Sequence, residues 1–186
     1  MMLRTKHAPP WLLAACLAAC ATTSSADPSA PAAAPAAATA PAWELLVREL
    51  PGDWQAQLGE TTITVSYRMS ARDSVIVETW MPGTAAETLT TYHLDGARLM
   101  LTHYCGQGNQ PRLQLVKGGA REVEFSRFDV SDLGADESAL AELALRFEGA
   151  ELVRDEIYAR GAERERTTLR FVRVASDAAE SARSTH

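Results

Sequence analysis

The chain has 186 residues, a formal net charge of −6 and three cysteines. It contains no basic stripe and no run of Lys and Arg, which argues against nucleic-acid binding and against electrostatic docking to a membrane. The stretch between residues 43 and 175 has the length of one domain. The composition therefore predicts one folded domain, flanked by segments of a different character.

The first twenty residues have the layout of a secretory signal peptide. Arg4 and Lys6 precede an apolar run from residue 11 to residue 19, and a run of about ten residues is too short to cross a bilayer. The run ends in Leu17-Ala18-Ala19-Cys20, which resembles the lipobox of bacterial lipoproteins. The resemblance implies that residues 1–19 form a lipoprotein signal peptide and that Cys20 is lipidated after cleavage.

The remaining cysteines depend on where the signal peptide ends. Cleavage before Cys20 removes Cys16 and leaves Cys105 alone, so no disulfide framework is expected. An overlapping match ends at Cys16 and leaves only a short apolar core; with that cleavage, a Cys20–Cys105 disulfide is conceivable. In the lipoproteins that the motif resembles, an aspartate after the cysteine marks the inner membrane. Ala21 stands here, which favours a lipid-anchored protein of the outer membrane, facing the periplasm.

The segment from residue 20 to residue 42 is low in complexity. It consists mainly of Ala, Pro, Ser and Thr, with Asp27 as its one charged residue. Its recurring prolines oppose a helix, and it lacks the large apolar residues that a core needs. We predict a disordered tether after the lipidated cysteine, and a second disordered segment from residue 176 to residue 186.

The domain from residue 43 to residue 175 is predicted to be all-β. A short amphipathic helix is expected from Trp43 to Leu50, where it would plug one mouth of a barrel. After it, many short segments alternate apolar and polar residues, which indicates an antiparallel sheet with one covered face. A loop or one helical turn is expected from Asp136 to Leu143. Evenly spaced turns favour an antiparallel up-and-down barrel of about eight to ten strands. The clearest alternating segments are 62–69, 122–128, 143–147 and 167–174.

The strongest local turn signal is Asp95-Gly96, which predicts a two-residue type I′ hairpin turn. The resulting pairing places His103 and Cys105 on the more apolar face, which we assign to the interior. Polar side chains on an inner face near a barrel mouth are suited to orienting a ligand in a cavity, and Arg112 is a candidate ion-pair partner for Glu78. The ligand-binding candidates are Tyr67, Glu78, Tyr92, His103, Cys105, Asn109, Gln110 and Arg112.

A family resemblance supports the barrel. Gly52-Asp53-Trp54 resembles the Gly-x-Trp signature of lipocalins, in which the tryptophan closes the barrel floor under an arginine from the last strand. The resemblance makes Trp54 and Arg173 the barrel-closing pair, joined by a cation–π contact. The run from His103 to Arg112 is similar to one in uncharacterised bacterial lipocalin-like lipoproteins. That likeness covers most of residues 52–174 and implies a calycin-type barrel, but no activity.

Three functions are considered for the domain. The favoured one is an envelope lipoprotein, held to the membrane by its N-terminal lipid, whose barrel binds a small, mostly apolar ligand. The alternative is a structural or interaction protein of the envelope with a filled barrel. Less favoured is a thiol enzyme with Cys105 as nucleophile and His103 as base, because no third group that would orient the histidine is evident.

No cofactor or metal is expected. The predicted domain has two histidines, His93 and His103, which the strand pattern places on opposite faces, whereas zinc usually needs three protein ligands. A haem bound through His103, as in nitrobindin-like barrels, is conceivable, although the other motifs of that family are missing.

Overall fold

A computed structural model describes residues 32–175. The predicted signal peptide with its lipobox, the first part of the predicted tether and the predicted tail lie outside these residues. Within them, no helix is long and apolar enough to cross a membrane. The elements are α1 (Ala36–Glu49), β1 (Gly52–Leu58), β2 (Thr61–Ser70), β3 (Val75–Trp80), β4 (Thr88–Asp95), β5 (Arg98–Tyr104), β6 (Gln110–Gly118), β7 (Glu122–Ser131), β8 (Ala139–Glu148), β9 (Glu151–Arg160) and β10 (Glu163–Arg173).

The ten strands form one closed antiparallel barrel. Each strand pairs with its neighbours in sequence, and β1 closes the barrel by pairing with β10. The period-two pattern follows from this arrangement: on β2, Ile63, Val65 and Tyr67 are buried inside, while the residues between them face outward. The predicted all-β up-and-down barrel with a short N-terminal helix is confirmed.

Helix α1 begins seven residues earlier than predicted. It starts at Ala36 rather than Trp43 and contains Pro41, so residues 36–42 belong to the folded domain and not to a disordered tether. A proline inside a helix removes one backbone hydrogen bond, but tertiary contacts hold this turn in place. Thr39 is buried and its hydroxyl donates to the carbonyl of Ala97 over 2.9 Å.

The helix plugs one end of the barrel. Leu45, Leu46 and Leu50 are buried in the same apolar cluster as the inward side chains of the strands. On the side of β6, Ala38 and Ala42 pack so closely on Gly118 that a Cβ there would lie 3.1 Å from the carbonyl oxygen of Ala38. The end of the barrel that faces away from α1 is formed by the loops after β1, β3, β5, β7 and β9.

The β4–β5 turn differs by one residue from the prediction. Asp95 pairs with Arg98, so the turn residues are Gly96 and Ala97 rather than Asp95 and Gly96. Only the first of the two turn residues has a positive φ, 59° at Gly96, which is typical of a type II′ turn. The pairing shifts by two residues, so that Tyr92 lies opposite Leu101. A shift of two leaves every side chain on its predicted face.

Candidate functional site

A cavity of about 220 Å³ lies inside the open end of the barrel. Its volume is below the range of about 300–1,000 Å³ that is typical of pockets for drug-sized ligands. The cavity is therefore suited to a small molecule. It is lined by Glu78, Trp80, Ala86, Thr88, His103, Cys105, Arg154, Glu156 and Tyr158.

One wall of the cavity is a row of polar side chains on β9. Arg154, Glu156 and Tyr158 line the cavity, because side chains at alternate positions of a strand share a face and are separated by about 6.8 Å. The intervening Asp155 is held on the outside by Arg146. Arg154 is the deepest of the three, with 2% of its surface exposed.

Arg154 is held by two carboxylates and a phenol. Its Nη1 donates to Glu78 Oε2 over 2.8 Å and to the Tyr67 hydroxyl over 3.1 Å, and its Nε donates to Glu156 Oε1 over 2.7 Å. The guanidinium also lies 5.4 Å from the ring centroid of Trp80. Burial alone would lower the pKa of Arg154, but the two carboxylates raise it well above its ordinary value. The side chain is therefore a permanent buried cation.

Glu78 is the buried counter-ion of Arg154. It is 1% exposed, and besides Arg154 it accepts hydrogen bonds from the Tyr92 hydroxyl over 2.5 Å and from the Thr90 hydroxyl over 3.5 Å. Burial, followed by the charge of Glu78, raises the pKa of both Tyr67 and Tyr92. Both phenols therefore stay protonated and serve as hydrogen-bond donors.

A chain of hydrogen bonds joins the cavity to Glu78. His103 Nε2 lies 3.3 Å from the Tyr158 hydroxyl, and its Nδ1 lies 3.0 Å from the Thr90 hydroxyl. Burial lowers the pKa of His103, so the ring is neutral at pH 7, with one donor and one acceptor nitrogen. One ring nitrogen therefore donates and the other accepts along the chain that runs through Thr90 and Tyr158.

These contacts bear on the other expected roles of His103. Both of its ring nitrogens are hydrogen-bonded to side chains, so neither is free to ligate a haem iron. Cys105 lies beside the cavity as a free thiol, but the hydrogen bonds of His103 go to Thr90 and Tyr158. The pair thus lacks the nucleophile–base hydrogen bond of an activated thiol.

Asn109 and Gln110 stabilise the rim and do not line the cavity. Asn109 is buried, and its Nδ2 donates to Glu137 Oε2 over 3.1 Å and to the carbonyl of Ser138 over 3.2 Å. Gln110 bonds to the Gly108 carbonyl, and the Ser131 hydroxyl donates to it over 2.8 Å. Both side chains satisfy groups in the surrounding loops.

The predicted position of Arg112 is wrong. Arg112 is exposed on the outer face of β6, between the buried Pro111 and Leu113. There it forms an ion pair with Asp129, and its guanidinium lies 5.2 Å from the ring centroid of Phe128. It therefore cannot reach Glu78, and the cation that pairs with Glu78 is Arg154 on β9.

Trp54 and Arg173 meet at the plugged end, away from the cavity. The guanidinium lies 4.2 Å from the tryptophan ring centroid, and Trp54 Nε1 donates to the Leu50 carbonyl over 2.8 Å. Arg173 Nη2 donates to the Glu49 carbonyl over 2.6 Å, which places a positive charge on the C-terminus of α1. Gly52 lies beside it with a φ of 133°, which favours glycine, and an added Cβ would collide with Arg173 Nη1.

Comparison with known proteins finds no family model and no curated protein that matches this chain. Since one fold can carry many functions, the functional assignment rests on the chemistry of the cavity.

Proposed function

We propose that this chain is a small-molecule-binding protein and that the cavity at the open end of its barrel is the binding site. The observation that carries the proposal is the buried Arg154–Glu78 ion pair, whose Arg154 borders the cavity. Removing two charges from water costs free energy that apolar side chains of similar volume would not cost. Charged side chains at a cavity therefore stabilise the fold less well than apolar side chains would. A binding site, in contrast, uses such side chains to contact and orient its ligand.

The ligand proposed here is smaller and more polar than the mostly apolar molecule expected from the sequence. Apolar contact comes from Trp80 and Ala86, but the other lining side chains are polar, charged or, at Cys105, a thiol. The deep interior is filled by the side chains that pack against α1. The space for a ligand is therefore limited to the mouth of the barrel.

We further propose that the protein is a lipoprotein of the bacterial envelope, related to lipocalin-like lipoproteins and anchored through Cys20. The lipobox-like sequence Leu17-Ala18-Ala19-Cys20 supports this. The chain also enters the domain at the plugged end, where the Ala34 amide donates to the Leu115 carbonyl over 2.7 Å, so an anchor there leaves the cavity mouth unobstructed. Palmitate labelling that disappears in Cys20→Ala and persists in Cys16→Ala is the expected result; labelling that survives in Cys20→Ala contradicts the anchor.

Native mass spectrometry of the full chain tests the binding function. We expect a co-purified small molecule that is lost in Ala86→Phe, because Ala86 lines the cavity and a larger side chain reduces its volume. Ala85→Phe is the matched control in the same exposed loop. A chain that carries no molecule and instead captures an envelope partner would favour the structural role.

A further inference from the structure

Arg154 has hydrogen-bond donors that the protein leaves free. A guanidinium has five N–H groups; here Nε–H and both Nη1 hydrogens go to Glu156, Glu78 and Tyr67. The two Nη2 hydrogens have no hydrogen-bond partner within residues 32–175. In that part of the chain, the fully buried side-chain atom without a partner is Asn109 Oδ1. Nη2 therefore keeps an accessible surface, and the cavity is the space that Arg154 borders.

The same wall also presents free hydrogen-bond acceptors. Tyr158 shares one hydrogen bond with His103 Nε2, and with either atom as the donor its oxygen keeps a lone pair for the cavity. Glu156 uses Oε1 to accept from Arg154, and its side chain is 14% exposed, which leaves Oε2 as a second acceptor. A donor pair and two acceptors thus follow one another along the inner face of β9.

The charges at the site disfavour ionic ligands. Glu78 and Glu156 together carry one negative charge more than Arg154, because His103 is neutral. An anionic ligand at Nη2 would approach two carboxylates. A cationic amine at Glu156 would approach the guanidinium and has no acceptor for the Nη2 hydrogens. An uncharged group with adjacent acceptor and donor atoms meets all three side chains without either repulsion.

We propose that the cavity recognises an uncharged amide group, as in a lactam or an N-acetyl group. Its carbonyl oxygen accepts from Arg154 Nη2, and its N–H donates to Glu156 or Tyr158. The hydrogen-bond chain through His103 and Thr90 holds the Tyr158 oxygen in position beside the cavity. The inference rests on the proposed binding function and adds to it the chemical class of the ligand.

Matched cyclic probes test this class by NMR titration of the full chain. The indole N–H signal of Trp80, identified by its loss in Trp80→Phe, reports on the cavity that this ring lines. We expect 2-pyrrolidinone to bind about tenfold more tightly than cyclopentanone, which lacks the N–H and would leave acceptors unsatisfied. The same preference is expected over pyrrolidine, which is a cation at neutral pH.

Two conservative variants assign the contacts. Glu156→Gln and Tyr158→Phe are each expected to weaken 2-pyrrolidinone binding by about three- to tenfold, while the dispersion of the amide signals reports whether each variant is folded. Glu60→Gln, in the exposed turn between β1 and β2, is the matched control and should bind like the parent chain. Unchanged affinity in both cavity variants would overturn the assignment.

The outcomes separate the amide class from the binding function. Tighter binding of pyrrolidine or cyclopentanone than of 2-pyrrolidinone would overturn the amide class and leave the cavity as a binding site. If no probe moves the Trp80 signal and native mass spectrometry finds no bound molecule, both proposals are wrong. If no probe binds but a co-purified molecule without an amide is found, only the amide class is wrong.

Discussion

The two ends of the barrel interior are built from opposite kinds of side chain. At the helix end, Leu46, Leu50 and Trp54 fill the space with apolar groups, and Arg173 covers the tryptophan from outside. At the open end, a guanidinium, two carboxylates, an imidazole and several hydroxyls surround a cavity. The first arrangement stabilises the fold through apolar burial, whereas the second requires exact pairing of buried charges.

This contrast separates stability from function within one barrel. Apolar packing at the helix end is what any closed barrel needs at its mouth. The ion pair between Arg154 and Glu78 is not needed for stability in this way, since apolar side chains of similar volume would often stabilise a barrel as well or better. Stability lost at the open end should therefore be recovered when the other member of the ion pair is replaced as well. Stability lost at the helix end should not be recovered by a second substitution.

The largest effect is expected from Arg154→Met. The substitution leaves Glu78 buried without its cation, and breaking a buried pair in this way costs about 3–5 kcal/mol. Urea unfolding followed by circular dichroism measures the loss. The double variant Glu78→Gln/Arg154→Met should recover a large part of it, because the uncompensated charge is gone; a double variant as unstable as the single one would contradict the ion-pair explanation.

At the helix end, we expect Leu46→Ala to lower the free energy of unfolding by about 2–5 kcal/mol. Leu46 is fully buried between the helix and the strands, and its truncation leaves a cavity. Leu58→Ala is the control, since Leu58 is 52% exposed. No second substitution of a charged residue should rescue Leu46→Ala, in contrast to Arg154→Met.

A smaller loss, about 1–2 kcal/mol, is expected from Arg173→Met. The variant loses the cation–π contact with Trp54 and the hydrogen bond to the Glu49 carbonyl at the end of α1. Arg170→Met, on the same strand but paired with exposed carboxylates, should have little effect. Chemical denaturation measures the free energy of unfolding of both variants. Equal losses in the two would show that the contact between Arg173 and Trp54 stabilises the protein no more than an exposed ion pair does.

The smallest effect concerns pH. Burial lowers the pKa of His103 from its ordinary value of 6.5, so below that pH the unfolded chain binds a proton more readily than the folded one. Stability is thus lost as the pH falls from about 7.5 to 5.5. Glu78, Arg154 and Glu156 face the ring, and their charges partly cancel.

The measurement is the shift of the urea midpoint between these two pH values. We expect the shift to shrink in His103→Gln. His93→Gln, on the outer face of β4, should keep the shift of the parent chain. A shift that persists in His103→Gln would place the titrating group elsewhere.

Much of the fold could be predicted from the sequence, because one barrel face is buried and the other is wet. Buried and exposed residues therefore alternate along strands such as β2 and β10. Two features escaped this signal. The start of α1 was placed too late because Pro41 opposes a helix, whereas burial of Thr39 and Ala42 stabilises the helix here. The β4–β5 turn was placed one residue too early because the pairing of Asp95 with Arg98 is not evident from the sequence.

Only part of the candidate site could be predicted from the sequence. Tyr67, Tyr92 and His103 belong to alternating segments whose predicted inner face is mostly apolar, so the alternation identified them, whereas the face of Glu78 was left open. Arg154 did not stand out, because the segment from 151 to 160 has charged residues on both faces of the strand. The available clue was Glu78 itself, because a buried carboxylate needs a cation; the candidate that the sequence analysis named, Arg112, lies on the outer face of β6.

The way the barrel closes has a consequence for how the chain folds. Nine of the strand pairings join segments that are adjacent in sequence, and the tenth, between β1 and β10, is formed by Trp54 with Arg173 and Gln55 with Val172. The consecutive strands can therefore pair by local hairpin formation. Only the short pairing between β1 and β10 brings together segments that are far apart in the sequence. Pairing of β1 with β10 is thus expected to be the last step of folding.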